Sequence, residues 1–152
     1  MKGRLKVFYI VFASRLNRPV IDTNVIVSAY ITKNLEAATS KLWEAVLQCK
    51  LTPIYNEEIL SEYSEVLRRK KFGIPEHLIK WALDKIVTNG VRGERVLSDE
   101  FFPDPKDVVF YEVALSKEDA YLVTGNTKHF PKKPIVVTPA EMLEILQREG
   151  IL

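Results

Sequence analysis

The chain has 152 residues, which is the length of one domain with a sizeable hydrophobic core. Hydrophobic residues make up 47% of it and charged residues 28%, an ordinary globular composition without low-complexity tracts. The formal net charge of +2 is too small to indicate a nucleic-acid partner by itself. Cys49 is the single cysteine, which excludes an intramolecular disulfide and a cysteine-based zinc site, and we expect it to be a buried thiol in a reducing cytoplasm.

Residues 1–18 form an N-terminal extension ahead of the first predicted strand. Three basic residues and the apolar run 7–13 imitate a short signal peptide, but Ser14-Arg15-Leu16 is a poor cleavage site. The run is far too short to span a bilayer, and no other stretch is long and apolar enough to do so. We therefore predict an extra edge strand or a loosely attached extension at residues 1–18, followed by a single domain at residues 19–152.

Strand and helix patterns alternate along the rest of the chain. The predicted strands cover residues 19–22, 51–55, 91–96, 121–124 and 135–137. The predicted helices cover residues 24–31, 36–48, 56–70 and 75–90, and two more open at residues 104 and 138. This alternation predicts a mostly parallel sheet with helices on both faces, in a three-layer α/β/α sandwich.

Four acidic residues stand where such a sheet builds its sites, near the carboxyl ends of its strands. Asp22 ends the first strand, and Asp104 and Asp107 open a helix that follows a strand. Glu62 lies inside the helix 56–70, where helical spacing puts it at the edge of the buried stripe and nearer the interior than the other acids of that helix. Asn126 follows the fourth strand.

Carboxylates are costly to bring out of water unless they are paired or bind a cation. The four acids gathered at one edge of a sheet would therefore form an oxygen-rich pocket for Mg²⁺ or Mn²⁺. Hard cations prefer oxygen ligands, and the sequence has no cluster of Cys and His that would favour zinc. Such a pocket typically activates water against phosphodiesters.

Each signal also has a purely structural interpretation. Asp22, Asp104 and Asp107 can cap helices, Glu62 can be a solvated helix residue, and Asn126 can be an ordinary turn residue. Asp107 fits this interpretation less well, because it shares its helical face with the apolar residues at positions 110, 111 and 114. The joint placement of these residues, rather than any one of them, supports a site.

Three segments of the chain resemble PIN domains. They are Val-Ile-Asp-Thr-Asn-Val-Ile-Val-Ser at residues 20–28, Glu-Ile-Leu-Ser-Glu-Tyr at residues 58–63, and the stretch 104–130 with Asp-Pro-Lys-Asp and Leu-Val-Thr-Gly-Asn-Thr-Lys-His-Phe. The resemblance covers about residues 19–140 and is fairly specific toward the bacterial toxin components of toxin–antitoxin pairs, the VapC-like ribonucleases. It implies a metal-dependent endoribonuclease that uses Mg²⁺ or Mn²⁺ to hydrolyse RNA phosphodiesters.

The resemblance assigns roles residue by residue. Asp22, Glu62 and Asp107 match the three principal acidic positions of the family and would be the catalytic residues. Asp104 matches an additional acid that is common in the subgroup. The metal would be held by Asp22, Glu62, Asp104 and Asp107, directly or through water.

Neighbouring polar and basic residues would complete the site. The residues that would orient ligands or waters are Thr23, Asn24, Thr124 and Asn126. The residues that would contact single-stranded or loop RNA are Arg68, Arg69, Lys128 and His129. The arginines can also belong to a solvated helix end, and His129 can be a structural hydrogen-bonding residue.

Asn126 departs from the family pattern, which often has a fourth acid at this position. Its amide oxygen can ligate a hard cation but carries no charge, so a second metal would bind more weakly. The chain can therefore alternatively be a catalytically degenerate PIN fold that binds RNA or protein. A phospho-acceptor receiver domain is disfavoured, because it needs an acidic pair after the first strand and this chain has only Asp22 there.

The resemblance also implies partners. A toxin would act on RNA and would be inhibited by a cognate antitoxin protein that covers the acidic pocket, for example with an inserted arginine. Many relatives form homodimers. Leu42, Trp43, Val46 and the final helix offer apolar side chains that can belong either to such a contact or to the core.

Overall fold

The structure, a computed structural model, describes residues 18–152. Within this range the chain forms six α-helices and five short β-strands. The helices are α1 (Thr23–Ile31), α2 (Ala38–Leu47), α3 (Glu57–Leu67), α4 (Glu76–Asn89), α5 (Val108–Ala114) and α6 (Pro139–Arg148). The strands are β1 (Pro19–Ile21), β2 (Ile54–Tyr55), β3 (Val91–Arg92), β4 (Tyr121–Val123) and β5 (Val136–Val137).

Every strand pair in the described part of the chain is parallel. The strands β1, β4 and β5 form a three-stranded sheet in that order, with Ile21 beside Val123 and Val123 beside Val137. The strands β2 and β3 form a separate two-stranded ladder. Helices flank the strands in three layers, as the alternating pattern predicted, because parallel strands need crossover connections and buried faces.

The helix α3 follows its sequence signals closely. The side chain of Asn56 accepts a hydrogen bond from the backbone N–H of Ile59 at 2.9 Å, which caps the helix as predicted. The side chains of Ile59 and Tyr63 are buried, while Glu62 is only partly buried at the edge of their stripe. The predicted orientation of Glu62 is therefore confirmed.

The last helix, α6, begins with the predicted capping box. The hydroxyl of Thr138 accepts from the backbone N–H of Glu141 at 3.1 Å, and the carboxylate of Glu141 accepts from the backbone N–H of Thr138 at 3.0 Å. These two bonds satisfy donors that a helix start leaves without partners.

Several elements are shorter than predicted. The strand predicted at 91–96 ends at Arg92, and the strand predicted at 51–55 begins at Ile54. The helix predicted from residue 104 starts as a 3₁₀ turn, Pro105–Asp107, before α5. The helix predicted to reach residue 70 ends at Leu67, and a 3₁₀ turn, Lys70–Phe72, follows it. Gly73 closes that turn at φ +63°, a conformation that a side chain disfavours.

One expectation about burial is wrong, and one alternative about burial is decided. Cys49 is exposed, because it follows the end of α2 with φ +61° and turns away from the core. The side chains of Leu42, Trp43 and Val46 on α2, which the sequence assigns either to the core or to a dimer contact, are buried in the core of the chain itself. Formation of a homodimer stays a prediction.

The prediction for the N-terminal extension concerns residues that the structure does not describe. Apart from Arg18, the extension at residues 1–18 lies outside the described residues. None of the helices within residues 18–152 is long and apolar enough to cross a membrane.

Candidate metal centre

A cavity of about 510 Å³ opens beyond the ends of β1 and β4. Four carboxylates from separate parts of the chain line it, namely Asp22, Glu62, Asp104 and Asp107. Asp22 follows β1, Glu62 comes from α3, and the other two come from the turn that opens α5. The fold thus brings the four predicted acids to one place, as expected for a sheet whose sites lie beyond its strand ends.

Asp22 is held at the sheet edge by groups from two strands. Its backbone N–H donates to the carbonyl of Val123 at 2.9 Å, which extends the β1–β4 ladder. Its Oδ2 accepts from the Thr124 hydroxyl at 2.7 Å and from the Asn24 amide at 3.2 Å. The side chain does not cap α1, so capping does not explain why an aspartate stands here.

The side chain of Glu62 reaches the cavity because a hydrogen bond holds α3 beside β1. The hydroxyl of Tyr63, the next residue, is buried and donates to the carbonyl of Ile21, the residue before Asp22. Burial raises the pKa of Tyr63, so this hydroxyl remains a donor throughout the physiological range. The bond fixes the helix beside the strand end and places Glu62 and Asp22 on the same cavity.

The two aspartates of the turn differ in their surroundings. Asp104 is exposed, and its Oδ1 caps the turn by accepting from the backbone N–H of Lys106 at 3.0 Å. The side chain of Asp107 is only 17% exposed, and its Oδ2 is buried without a hydrogen bond. The Nδ1 of His129 lies 3.5 Å from that oxygen, too far for a good hydrogen bond. The capping interpretation therefore holds for Asp104 and not for Asp107.

The environment of the cavity disfavours the charged form of two of its carboxylates. Burial, assisted by the nearby charges of Asp107 and Glu62, raises the pKa of Asp22 to about 6. Burial, assisted by Asp104 and Glu62, also raises the pKa of Asp107. A cation in the cavity would relieve both the desolvation and the repulsion.

The donor set fits a hard divalent cation. It consists of carboxylate oxygens, and one of them, Oδ2 of Asp107, lacks the partner that a buried polar atom requires. Within residues 18–152, however, no three Asp, Glu, His or Cys side chains are placed so that they could hold one ion together. A divalent cation in this cavity would therefore contact fewer than three of these side chains directly, and water would complete its coordination.

The four residues predicted to orient ligands lie around Asp22. The hydroxyl of Thr124 and the side-chain amide of Asn24 donate to its carboxylate directly. The side-chain Oδ1 of Asn24 accepts from Gly125 N–H at 3.1 Å. The backbone N–H of Asn126 donates to the Thr124 hydroxyl at 3.0 Å, and its side chain lines the cavity. The hydroxyl of Thr23 is buried without a partner.

The four predicted RNA contacts are divided between different surfaces. Arg69 and His129 line the acidic cavity. Lys128 lines a second cavity of about 430 Å³ on the other side of the 3₁₀ turn Thr127–His129. Arg68 instead pairs with Glu76 through bonds of 2.9–3.1 Å, so its guanidinium is turned away from the acidic cavity.

Comparison with known families gives one match. The PIN domain family matches residues 18–128, which contain all four carboxylates and the residues that orient Asp22. The chain belongs to the PIN domain family. PIN domains are generally nucleases that use divalent metal ions, which agrees with the oxygen-lined cavity. Comparison with curated proteins and with solved structures gives no match.

The sequence patterns did not predict that apolar side chains would form one wall of the PIN domain cavity. The side chains of Val27, Ile31, Val66 and Phe72 line the cavity beside the carboxylates. Val27 and Val66 are buried, but Ile31 is 51% exposed and Phe72 is partly exposed. Phe72-Gly73, directly after a basic run that ends a helix, is the sequence signal that could have drawn attention to this wall.

A buried ion pair, which the sequence analysis also missed, links the helices of this PIN domain. Glu112 on α5 is almost fully buried, and its Oε1 accepts from Arg95 at 2.7–2.8 Å. Its Oε2 accepts from Ser98 N–H at 2.7 Å. Arg95 also bonds Glu58 of α3 at 2.8 Å. Glu112 is the one acidic residue within the apolar run of α5. Its position could have indicated this ion pair, because a glutamate is almost never buried without a partner.

Arg95 therefore joins the two helical segments that bring Glu62 and Asp107 to the cavity. Glu58 lies one turn before Glu62 on α3, and Glu112 lies on the helix that Asp107 precedes. The carboxylates of Glu62 and Asp107 repel each other, so a bridge between their helices holds them against that repulsion. We refer to Glu58, Arg95, Glu112 and Ser98 as the Arg95 clamp.

The raised pKa of Asp22 predicts how the stability of the metal-free PIN domain depends on pH. In the range from about pH 4 to pH 6 the folded chain binds more protons at Asp22 than the unfolded chain does. The stabilisation of the fold that comes from this extra proton binding is complete below about pH 4 and is lost as pH rises through about 6. Between about pH 4 and pH 7 we therefore expect the free energy of unfolding to decrease by about 2–3 kcal/mol because of this residue.

Urea unfolding with a metal chelator at pH 4 and at pH 7 measures this effect. Asp22→Asn cannot titrate, so the difference between wild type and variant isolates Asp22 from the other carboxylates. The wild type is expected to lose stability relative to the variant as pH rises. An identical pH dependence in the two proteins would show that Asp22 is not desolvated in the fold.

Proposed function

We propose that this PIN domain is a metal-dependent endoribonuclease that hydrolyses RNA phosphodiesters. The observation that supports this best is the convergence of Asp22, Glu62, Asp104 and Asp107 on one cavity, together with the buried and unpartnered Oδ2 of Asp107. A cation in the cavity would give this oxygen the partner that a buried polar atom normally has.

In this proposal Asp22, Glu62, Asp104 and Asp107 hold Mg²⁺ or Mn²⁺, one or two of them directly and the others through water. A bound ion supplies a water of lowered pKa and neutralises charge on the phosphodiester that is cleaved. Thr124 and Asn24 hold the Asp22 carboxylate in one orientation through their hydrogen bonds to Oδ2. Residues that orient a ligand in this way typically contribute 10–100-fold to metal affinity or activity, as an order-of-magnitude expectation.

The favoured substrate is single-stranded or looped RNA. Four carboxylates face only one guanidinium, that of Arg69, among the residues that line the cavity, so a phosphate can enter only with a cation. The lysine-lined cavity beyond Thr127–His129 offers a path for the neighbouring phosphates. An unpaired strand can expose its bases and follow such a bent path, whereas a duplex presents a uniform groove.

We further propose that the protein is the toxin component of a toxin–antitoxin pair that acts in the cytoplasm. A protein inhibitor could block the cavity by supplying an arginine to the carboxylates, which would replace the cation electrostatically. The resemblance of residues 20–28, 58–63 and 104–130 to toxin-type PIN proteins supports this proposal. Copurification with the product of an adjacent gene tests it.

The alternative function is a catalytically degenerate PIN fold that binds RNA or protein. Asn126 favours this alternative, because it lines the cavity where relatives often place a fourth acid. An amide lowers the negative charge of the site and weakens a second metal position. The two functions differ in whether the cavity binds a divalent cation at all.

Metal titration separates the two functions. Mn²⁺ at 100 times its dissociation constant is expected to stabilise the fold by about 2.7 kcal/mol, which corresponds to a rise in Tm of about 5–10 °C. The shift should saturate with Mn²⁺ and should disappear in Asp22→Asn. Differential scanning calorimetry in Mn²⁺ and in chelator measures it.

The control is Asp84→Asn, an exposed aspartate on α4 that lies outside the cavity. This variant should keep the full Mn²⁺-dependent shift. An unchanged Tm of the wild type up to millimolar Mn²⁺ would favour the binding module over the nuclease.

A further inference from the structure

The acidic cavity has a second, apolar half whose purpose the metal chemistry does not explain. Val27, Ile31, Val66 and Phe72 form this wall, and Arg69 stands beside it. A hydrated cation needs oxygen ligands and gains nothing from an exposed isoleucine and a phenylalanine ring. Apolar side chains that remain partly exposed in a cavity with convergent polar groups are typical of a ligand site.

The position of Phe72 is set by its turn. The backbone N–H of Phe72 donates to the backbone carbonyl of Arg69 at 3.1 Å. The backbone N–H of Gly73 donates to the backbone carbonyl of Lys70 at 3.1 Å. Gly73 then reverses the chain at φ +63°. The ring is therefore placed at the cavity by a closed 3₁₀ turn rather than by a loose loop, and it keeps one part in contact with solvent.

One cationic group lies over this ring, and a second lines the same cavity. The Nζ of Lys71 lies 5.1 Å from the centre of the Phe72 ring. Arg69, which lines the same cavity, makes only a long contact of 3.7 Å with the exposed carboxylate of Glu65. An aromatic ring and an arginine that line the same cavity suit a nucleotide, because its base can stack on the ring and its phosphate can pair with the cation.

We propose that this wall is a nucleobase subsite, in which a base adjacent to the phosphodiester at the carboxylates stacks against Phe72 and packs on Ile31, while Arg69 contacts a phosphate. This inference rests on the proposed function for the placement of the phosphodiester. It adds that the enzyme recognises a base at the cleavage position and not only the backbone. The cavity volume of about 510 Å³ is within the usual range for small-ligand sites.

A double-mutant cycle on protein and RNA tests the subsite. The probes are fluorescein-labelled RNAs of five nucleotides, one intact and five others in which each position in turn is abasic. Binding is measured by fluorescence anisotropy in Ca²⁺, an oxygen-seeking cation, with strand integrity checked on a gel afterwards. Phe72→Ala is expected to weaken binding of the intact RNA about tenfold, as loss of one base stack does.

The same variant should not weaken binding of the strand whose abasic position falls in the subsite, because the stacking partner is already missing. Phe72→Tyr keeps an aromatic face and should retain the affinity. Ile31→Ala, at a residue that is half exposed, should show the same coupling to a smaller extent without affecting the fold. The control is Phe101→Ala, since Phe101 is 83% exposed and does not line the cavity.

Arg69→Ala should behave differently from Phe72→Ala. It should weaken intact and abasic strands equally and reduce the dependence of affinity on salt, because a phosphate contact does not distinguish bases. The matched control is Arg148→Ala, an exposed arginine near the end of α6.

These outcomes separate the subsite from the proposed function. RNA cleavage that requires Mn²⁺ and Asp22, combined with equal effects of Phe72→Ala on all six strands, would overturn the nucleobase subsite and leave the nuclease intact. Absence of cleavage under every metal, with coupling between Phe72 and one base, would overturn the nuclease and keep the subsite.

Discussion

Asp22→Asn is expected to abolish metal-dependent RNA cleavage while the fold is retained. Asp22 is the most buried of the four carboxylates, and its Oδ2 is positioned by Thr124 and Asn24. Replacing it with an amide removes the charge that anchors the cation. Metal ions contribute several kcal/mol to the stabilisation of a phosphoryl transition state, so the loss should be on the order of 10³-fold in rate.

The measurement is the cleavage of mixed RNA by purified protein with and without Mn²⁺. Asp84→Asn, which makes the same chemical change on an exposed helix face, should cleave at the rate of the wild type. Circular dichroism in chelator should show the native helix content for both variants. Persistent Mn²⁺-dependent cleavage by well-folded Asp22→Asn would refute the assignment of the site.

Arg95→Ala is expected to destabilise the protein by about 3–5 kcal/mol, the cost of leaving a buried charge without its partner. The Glu112 side chain is only 3% exposed, and without Arg95 its carboxylate keeps a single bond, from Ser98 N–H. The loss should also loosen the spacing of α3 and α5, because Arg95 bonds Glu58 as well. Urea unfolding at pH 7 in chelator measures the change.

Arg92→Ala is the matched control for the Arg95 clamp. Arg92 pairs with Glu57 at 2.8 Å, but both side chains are largely exposed, at 64% and 70%. An exposed pair contributes about 0–1 kcal/mol, so this variant should stay close to the wild type. Equal destabilisation by the two substitutions would mean that burial of Glu112 does not govern the energetics. A charge-free replacement of both Glu112 and Arg95 should recover part of the loss.

The fold could be predicted because its signals are local. Asn56 and the Thr138–Glu141 capping box mark helix starts, Asn89-Gly90 marks a helix end, and short apolar runs mark strands. Strand lengths were overestimated, since an apolar run continues beyond the few residues that pair. The division of the strands into a three-stranded and a two-stranded set depends on packing between distant segments, which periodicity does not encode.

The carboxylates of the site could also be predicted, because strand ends of a parallel sheet converge and helical spacing aimed Glu62 inward. The individual surroundings of these carboxylates could not be predicted from the sequence. The sequence gives no sign that Asp104 caps its turn while the Oδ2 of Asp107 stays without a bond. That difference arises from a 3₁₀ turn where the pattern predicted a continuous helix.

Residues outside the polar motifs were the main omission. Phe72 and Ile31 look like ordinary core residues in the sequence, and only the bend after Leu67 brings Phe72 to the cavity. Arg95 and Glu112 are 17 positions apart and meet across an irregular connection. Such pairs depend on the path of a loop, for which sequence patterns give little guidance.

The hydrogen bond between Thr124 and Asp22 joins residues 102 positions apart. At translation rates of about 5–20 residues per second, Asp22 leaves the ribosome roughly 5–20 s before Thr124 does. Throughout that interval the β1–β4 ladder cannot exist, and the carboxylates remain scattered along an unfinished polypeptide. The cavity can therefore assemble only after the segment that carries Thr124 has been synthesised.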